Sequence, residues 1–569
     1  MVPDRSRVEW AFLSAVLVSA FTFLGCYLLY LYDVVLFPFD WEPTDGDHLN
    51  FARRISSNVP IFLPLESGSA LSVYTPLYHM LLALIGGVEI TLSQARLLSA
   101  IFWLLVPFVV FMFYRHKWGS FLALFAALII GMPPEQNLLI DLVHVTPTSL
   151  LAILFLVTLI QTERCIESDR LDWRNWFLLG VLAALCFLAK QQGIIASGLI
   201  LACLILRLPK LSQVTSLVCG GLFVLVPVIL YLEILNNGKF LTTVLFELRN
   251  IMITSNALAA KRLWDFLFVS NLLILLVVLA SFANHFRSTM KLKELSIYQI
   301  SLLAHIPFLF TILGNGGGGP NYFITLWLTL VLLAVDTIWI AKERQTFIFS
   351  KIFLLGIISI GLMGWSLSEP IGPDNVYQSV ATIFLVLSSL AVSLFFARFK
   401  DHDGVLAHES EPRAWSNTAL LMLMAIWINA VNAAIPVTRQ LSELRASVEE
   451  VYPLMTEHYS RIATLAEERK PTNILTNRNI GALVAAGVPV ENEGASLFSY
   501  AWYADGFDRK IVLQAIRNKE YQFISTGLQP YPDDVMKLIG ENYSILSEQK
   551  VNLYMGHIGK AYIYIPNND

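Results

Sequence analysis

Long apolar runs recur along nearly the whole chain, and they restrict its fold more than any other feature. A spanning helix needs roughly 17 to 25 mostly apolar residues, and about thirteen runs approach that length. They cover 9–32, 96–114, 119–133, 148–162, 175–189, 192–206, 215–235, 265–284, 297–313, 322–341, 348–367, 377–397 and 417–436. Lipid offers no partner to a backbone N–H or C=O, so runs of this length are expected to be helical. Composition agrees, with 56% of the 569 residues hydrophobic and 14% charged, too few charges to clothe a soluble surface. The net charge of -4 provides no basic field for nucleic acid. The five cysteines, Cys26, Cys165, Cys186, Cys203 and Cys219, have no Cys-x-x-Cys spacing and lie in apolar runs or one loop, so none is expected to staple an exposed domain. The first run, from Ala11 to Tyr32 after Arg5 and Arg7, is too long for a signal-peptide core and reads as a retained span.

The basic residues set the expected sidedness. With a cytoplasmic N-terminus, Arg115/Lys117, Arg164/Arg170/Arg174, Arg207/Lys210, Arg287/Lys291/Lys293, Lys342/Arg344 and Arg398/Lys400/Arg413 all fall inside, as the positive-inside rule requires. The opposite loops 134–147, 314–321 and 368–376 hold no Lys or Arg. The apolar run Leu77–Val88 is short, and a span there would invert every later loop, so an interfacial helix is expected. This count gathers the loop 33–95, the loop after Pro133, the Gly-rich turn and the C-terminal segment on one outer face.

The first outer loop carries Asp40, Glu42, Asp45 and Asp47 directly after a span. Acids at head-group depth are costly unless solvated, paired or bound to a cation. Leu49, Phe51, Ala52 and Ile55 mark a short amphipathic helix with Asp45 at its N-terminal edge, as a cap or as a base. Asp40, Glu42 and Asp47 are expected to be solvated or paired with Arg53 or Arg54. Tyr74 and His79 follow, the histidine as a ligand, a phosphate contact or a packed ring. In the second outer loop Asp141 and His144 share a face if that stretch is helical; with Asp40 and Asp47 they form a possible second acid or ion site. Lys190-Gln191 breaks two apolar runs on the outer side, where the lysine either binds a phosphate or snorkels. Gly314 to Gly319, leading into Pro320-Asn321-Tyr322, is either a turn or a set of N–H groups for an anion. No nucleotide-binding fingerprint is present.

From 437 the charges return. Thr472–Thr476, Tyr521–Ser525 and Lys560–Ile565 read as strands, and segments near 480–486, 509–518 and 533–541 as helices. This order predicts a small α/β domain with a partly parallel sheet.

The acidic loop with Asp45-Gly46, the Leu49-x-x-Ala52-Arg53 helix, Tyr74-x-Pro76-Leu77, Lys190-Gln191 and Gly319-Pro320-Asn321-Tyr322 together resemble the GT-C membrane glycosyltransferases. Within that superfamily the likeness is to the protein O-mannosyltransferase and lipid A aminoarabinose transferase group, and it extends over essentially the whole chain. It implies a polytopic α-helical membrane protein of about thirteen spans over 1–436, with an extracytoplasmic α/β domain over 437–569. It further implies a hexosyl- or pentosyltransferase moving a sugar from a polyprenyl-phosphate donor to a hydroxyl of a glycan, lipid or protein in the cell envelope. In this resemblance Asp45 deprotonates the acceptor, and Lys190, Gln191, Asn321, Tyr322, Tyr74 and His79 serve the donor or its phosphate. The setting implied is a bacterial inner membrane with the C-terminal domain outside. One departure stands out: where many members carry Arg-Pro-Asp, this chain has Thr146-Pro147-Thr148. No cofactor is firmly implied, and a divalent metal is left open. A transporter or lipid flippase is the alternative, although inverted repeats and midplane charges are not evident.

Overall fold

In the computed structural model the described residues are 5–41, 44–62, 74–133, 142, 144–167, 173–207, 209–242, 256–288, 291–313, 320–344, 417–471, 473–476, 480–488, 490, 502, 508–526, 531–554 and 557–567. The expected spans 348–367 and 377–397, the Gly-rich stretch 314–319, Glu42 and Asp141 lie outside them.

The apolar runs form helices α1 (Arg5–Leu36), α4 (Leu92–Gly131), α5 (Thr148–Glu167), α6 (Trp173–Ala189), α7 (Ile194–Arg207) and α8 (Leu211–Leu235). Beyond them come α9 (Asn256–Trp264), α10 (Leu272–Ser288), α11 (Ile297–Leu313), α12 (Ile324–Arg344) and α13 (Asn417–Arg469). Two short helices occupy the first outer loop, α2 (Thr44–Ser56) and α3 (Leu77–Gly86). Among the described residues four helices are long and apolar enough to cross a membrane, or five if one bent pair counts as a span. α3, with 10 residues, reaches about 15 Å and is too short to span.

Local chemistry fixes several of these boundaries. Thr91 opens α4 with a capping box, its hydroxyl accepting from the Gln94 N–H while the Gln94 side chain accepts from the Thr91 N–H. A straight helix of 40 residues would be about 60 Å long, twice a bilayer core. Gly119 breaks it at φ 80°, a left-handed geometry that glycine adopts without steric cost, so the two expected runs 96–114 and 119–133 lie on either side of a kink. The run expected at 265–284 is not one straight helix: it bends by 89° between Phe268 and Leu272, just before α10. There the Asn271 side-chain amide donates to the Phe266 carbonyl at 2.9 Å. α6 and α8 approach backbone to backbone at Gly180 and Gly220, where a Cβ would lie 1.9 Å from the Leu217 carbonyl and 2.0 Å from the Phe177 carbonyl. Small residues allow such close packing between helices in lipid.

α12 runs through the centre of the bundle, burying Trp327, Leu330, Val331 and Ile338. α8 lies at its edge and turns Leu222, Phe223, Leu230 and Ile234 outward, an apolar face suited to lipid. α13 continues without interruption from the apolar stretch across position 436 to Arg469; its Tyr452 and Tyr459 rings pack on Phe39 and its His458 meets Gln549 of the C-terminal sheet. That sheet comprises β1 (Ile474–Thr476), β2 (Phe523–Thr526), β3 (Tyr543–Tyr554) and β4 (His557–Pro566) in the order β1-β2-β4-β3. β1 and β2 are parallel; the other pairings are antiparallel. Helices α14 (Ile480–Ala485), α15 (Arg509–Arg517) and α16 (Asp533–Asn542) accompany it.

Candidate active site

α2 is amphipathic, but its polar face is not turned to water. Asp45, Asp47, His48 and Asn50 are all buried, because helices α3 and α4 and the C-terminal unit close over it. Asp45 is the most heavily engaged. Arg96, in the first turns of α4, places Nη2 2.5 Å from Asp45 Oδ2. The backbone N–H of Val145 donates to Oδ1 at 3.0 Å, that of Trp41 donates to Oδ2 at 3.3 Å, and His144 Nδ1 lies 3.5 Å from Oδ1. Arg96 also donates to the carbonyls of Val34, Phe37 and Phe39, satisfying oxygens at and beyond the C-terminus of α1. Burial by itself raises the Asp45 pKa, but Arg96 and then His144 overcome it and hold the group well below the usual carboxylate range. Asp45 is an ionised, oriented carboxylate shut away from bulk solvent.

Asp40 and Asp47 are buried as well, which rules out the solvated one of the two expected states, solvated or paired with Arg53 or Arg54. Arg53 donates to the carbonyls of Val484 and Ile90, and Arg54 to those of Pro60 and Val490, so both arginines tie α2 to backbone oxygens of the C-terminal unit. Asp40 Oδ2 accepts from the Gly481 N–H at 3.0 Å, and the Asp40 N–H donates to the Tyr459 hydroxyl at 3.1 Å. Burial, with the Asp45 charge adding to it, pushes the Asp40 pKa up to about 7. Two glycines make this docking possible: a Cβ on Gly46 would lie 2.3 Å from the Gly481 nitrogen, and one on Gly481 would lie 2.2 Å from Asp40 Oδ1.

On the next turn of α2, His48 stacks on His79 of α3, with Nδ1 2.7 Å from His79 Nε2 and ring centroids 5.0 Å apart. Tyr74 lies 4.8 Å from the His48 ring. Burial, and then the nearby Lys190 charge, lower the His48 pKa to about 3 against the pull of Asp45. Burial and His48 lower that of His79 well below its usual value. Lys190 is itself buried. Its Nζ donates to Thr148 Oγ1 at 3.0 Å and stands 5.2 Å from the centroid of the Tyr322 ring, so the lysine head points inward and does not snorkel. Gln191 belongs to the tight turn Gln191–Gly193, which requires glycine because a Cβ at Gly193 would lie 1.9 Å from the Cys186 carbonyl. Asn321 and Tyr322 open the turn into α12. His144 occupies a bend before α5 instead of a helix. Among the described residues no three His, Cys, Asp or Glu side chains gather as a metal-ligand group.

A family model described as "Dolichyl-phosphate-mannose-protein mannosyltransferase" matches residues 74–232, a stretch that includes Tyr74, His79, Arg96, His144 and Lys190. The crystal structure of ArnT from Cupriavidus metallidurans bound to undecaprenyl phosphate is 13% identical, with a TM-score of 0.56 over 96% of this chain and 98% of that one. Its apo crystal structure is 14% identical, with a TM-score of 0.56 over 98% of each chain. The chain has the GT-C fold. No curated protein matches it.

Within the GT-C fold, sequence reasoning singled out Asp45, Lys190, Tyr74, His79 and Tyr322 but missed Arg96 on Asp45, His48 on His79 and the buried Gln192 beside Gln191. Arg96 carried a signal, a charge at the head of an apolar run, which is costly unless paired. His48 and Gln192 carried none beyond their polarity. Both are buried, and the outer ring nitrogen of His48 and both amide atoms of Gln192 have no hydrogen-bond partner among the described residues.

Proposed function

We propose that this chain is a glycosyltransferase that moves a sugar from a polyprenyl-phosphate donor to an acceptor hydroxyl. The supporting observation is the buried Asp45 carboxylate, held by Arg96, in a site that also buries the Lys190 ammonium. Transfer needs a group to take a proton from the acceptor and a cation to receive a departing phosphate. In the proposed step the acceptor oxygen bonds to the sugar's anomeric carbon. The bond from that carbon to the phosphate oxygen breaks, its electron pair leaves with the polyprenyl phosphate beside Lys190, and the acceptor proton passes to Asp45. A carboxylate held ionised is a weak base, so its proton transfer falls late, when the attacking oxygen already carries positive charge. That timing suits the oxocarbenium-like transition states of glycosyl transfer.

The ArnT structure with undecaprenyl phosphate supports the same class of lipid for this chain. The basic inner loops support thirteen spans, a cytoplasmic N-terminus, and an outer location for the site and the α/β unit in a bacterial inner membrane. The acceptor is proposed to be an envelope glycan, lipid or protein. The test is Asp45→Asn assayed with a panel of undecaprenyl-phosphate hexoses and pentoses in membranes. Loss of transfer with retained lipid binding is expected. Retained transfer would remove Asp45 from the role, and lipid transport without any transfer would favour a flippase.

A further inference from the structure

We propose that His48 and His79 act as one neutral hydrogen-bonding unit that reads a hydroxyl of the transferred sugar, next to the phosphate held by Lys190. This rests on the glycosyltransferase reading and adds a recognition element to it. The two rings are fully buried and share one short hydrogen bond, His48 Nδ1 to His79 Nε2 at 2.7 Å. Their outer nitrogens, His48 Nε2 and His79 Nδ1, have no partner among the described residues. Two buried polar atoms on adjoining rings are costly to leave unmet.

Proton counting defines what they can bind. Each neutral ring carries one N–H, and burial keeps both rings neutral, helped at His48 by the Lys190 charge and at His79 by His48. One of the two protons lies in the bond between the rings. The other must sit on one outer nitrogen and leave the second bare, and both choices of tautomer give the same outcome. The pair therefore presents one donor and one acceptor. A phosphate oxygen only accepts and can satisfy only the N–H end, whereas a hydroxyl both donates and accepts and fits either end. The Tyr74 ring against His48 adds an apolar face of the kind that packs on sugar C–H groups. Lys190 lies close enough to disfavour protonation of His48, which places a phosphate-binding cation beside a hydroxyl reader, the order in which a sugar phosphate presents those groups. His79 is then a sugar contact and not a phosphate contact.

The experiment measures binding of bare undecaprenyl phosphate and of undecaprenyl phosphates carrying different hexoses and pentoses to the purified full chain in nanodiscs. His48→Phe and His79→Phe are expected to lose about tenfold in affinity for the preferred sugar lipid and to bind bare undecaprenyl phosphate as the unmodified chain does. His48→Gln and His79→Asn keep a polar atom near the outer nitrogen, and they are expected to recover part of the loss; they also serve if the phenylalanine variants fail to fold. Equal weakening for sugar-bearing and bare lipid, or no weakening at all, would overturn the proposal. So would an unmodified chain that binds every sugar lipid no better than the bare one. If that chain binds none of these lipids, the glycosyltransferase reading itself falls.

Discussion

Arg96 Nη2 stands 2.5 Å from Asp45 Oδ2, with both side chains shut away from solvent. The same guanidinium closes the end of α1 through three backbone carbonyls, so one side chain fixes α1, α2 and α4 at the candidate site. Breaking a buried pair from one side strands a charge. Arg96→Met is therefore expected to cost about 3–5 kcal/mol, read as a fall in Tm of the purified protein. Adding Asp45→Asn should recover part of that loss, because the stranded charge disappears. A double variant no more stable than Arg96→Met would show that the carbonyl contacts, and not the ion pair, carry the effect.

The Asp40 carboxyl should make stability depend on pH. Its pKa of about 7 lies above the value of about 3.9 for an unfolded aspartate. Between those values the folded chain holds more protons than the unfolded one, so this group's contribution falls as pH rises from about 4 to about 7. Asp40→Asn resembles the protonated form and keeps an oxygen for the Gly481 N–H. Relative to the unmodified chain, its Tm is expected to be higher at pH 8.5 than at pH 5.5. An offset independent of pH would contradict the raised pKa.

Much of this architecture can be read from local pattern, and the rest depends on distant residues meeting. Apolar runs dictate helices because lipid leaves the backbone no other partner, and the spacing of Leu49, Phe51, Ala52 and Ile55 marks α2 directly. Local pattern does not mark the strand β3: register shifts interrupt its pairing between Ile545 and Ser547 and between Asn552 and Tyr554, so the two-residue alternation that signals a strand is blurred. At the site, Asp45 could be singled out as an acid beside a membrane span. The burial of Asp40 and Asp47 could not, since it depends on the C-terminal unit folding back onto α2. The His48–His79 pair likewise exists only because α2 and α3 pack together.

Gly46 and Gly481 should tolerate little. A methyl group on Gly46 meets backbone at 2.3 Å, which cannot withdraw, so Gly46→Ala is expected to destabilise by about 1–3 kcal/mol or more. It should also lower kcat for transfer by displacing Asp45. On Gly481 the obstacle is the Asp40 carboxylate, so Asp40→Ala should partly rescue Gly481→Ala in Tm but should not rescue Gly46→Ala. Rescue of both, or of neither, would show that the two glycines are not placed as described.

Lys190→Met tests the phosphate role without emptying the site, since the methionine stem replaces most of the lysine volume. A charge-assisted hydrogen bond is worth about 1.5–3 kcal/mol, so affinity for bare undecaprenyl phosphate is expected to fall by about tenfold or more. The KM for the acceptor should change little. A variant with unchanged lipid affinity and reduced kcat would move Lys190 from ground-state binding to the transition state.

A second ionic cluster occupies the other end of α4 and should separate stability from activity. Lys117 pairs with Glu163 and lies 3.4 Å from Asp336. The Tyr298 hydroxyl donates to Glu163 at 3.1 Å, and the Trp118 indole N–H donates to Asp336 at 3.2 Å. The cluster thus joins α4, α5, α11 and α12 just before the Gly119 break. From Arg96 to Lys117 the helix rises about 30 Å, roughly the thickness of a bilayer core, so the two clusters lie at opposite ends of the bundle. Lys117→Met removes the cation between two buried carboxylates and is expected to cost about 3–5 kcal/mol in stability. Glu163→Gln in the same chain should recover part of that by removing one of the unbalanced charges. Because nothing in this cluster reaches the site, donor and acceptor KM are expected to stay within about twofold of the unmodified values below the variant's Tm, a difference of about 0.4 kcal/mol. A selective change in KM would instead require the two ends of α4 to be coupled through the kink.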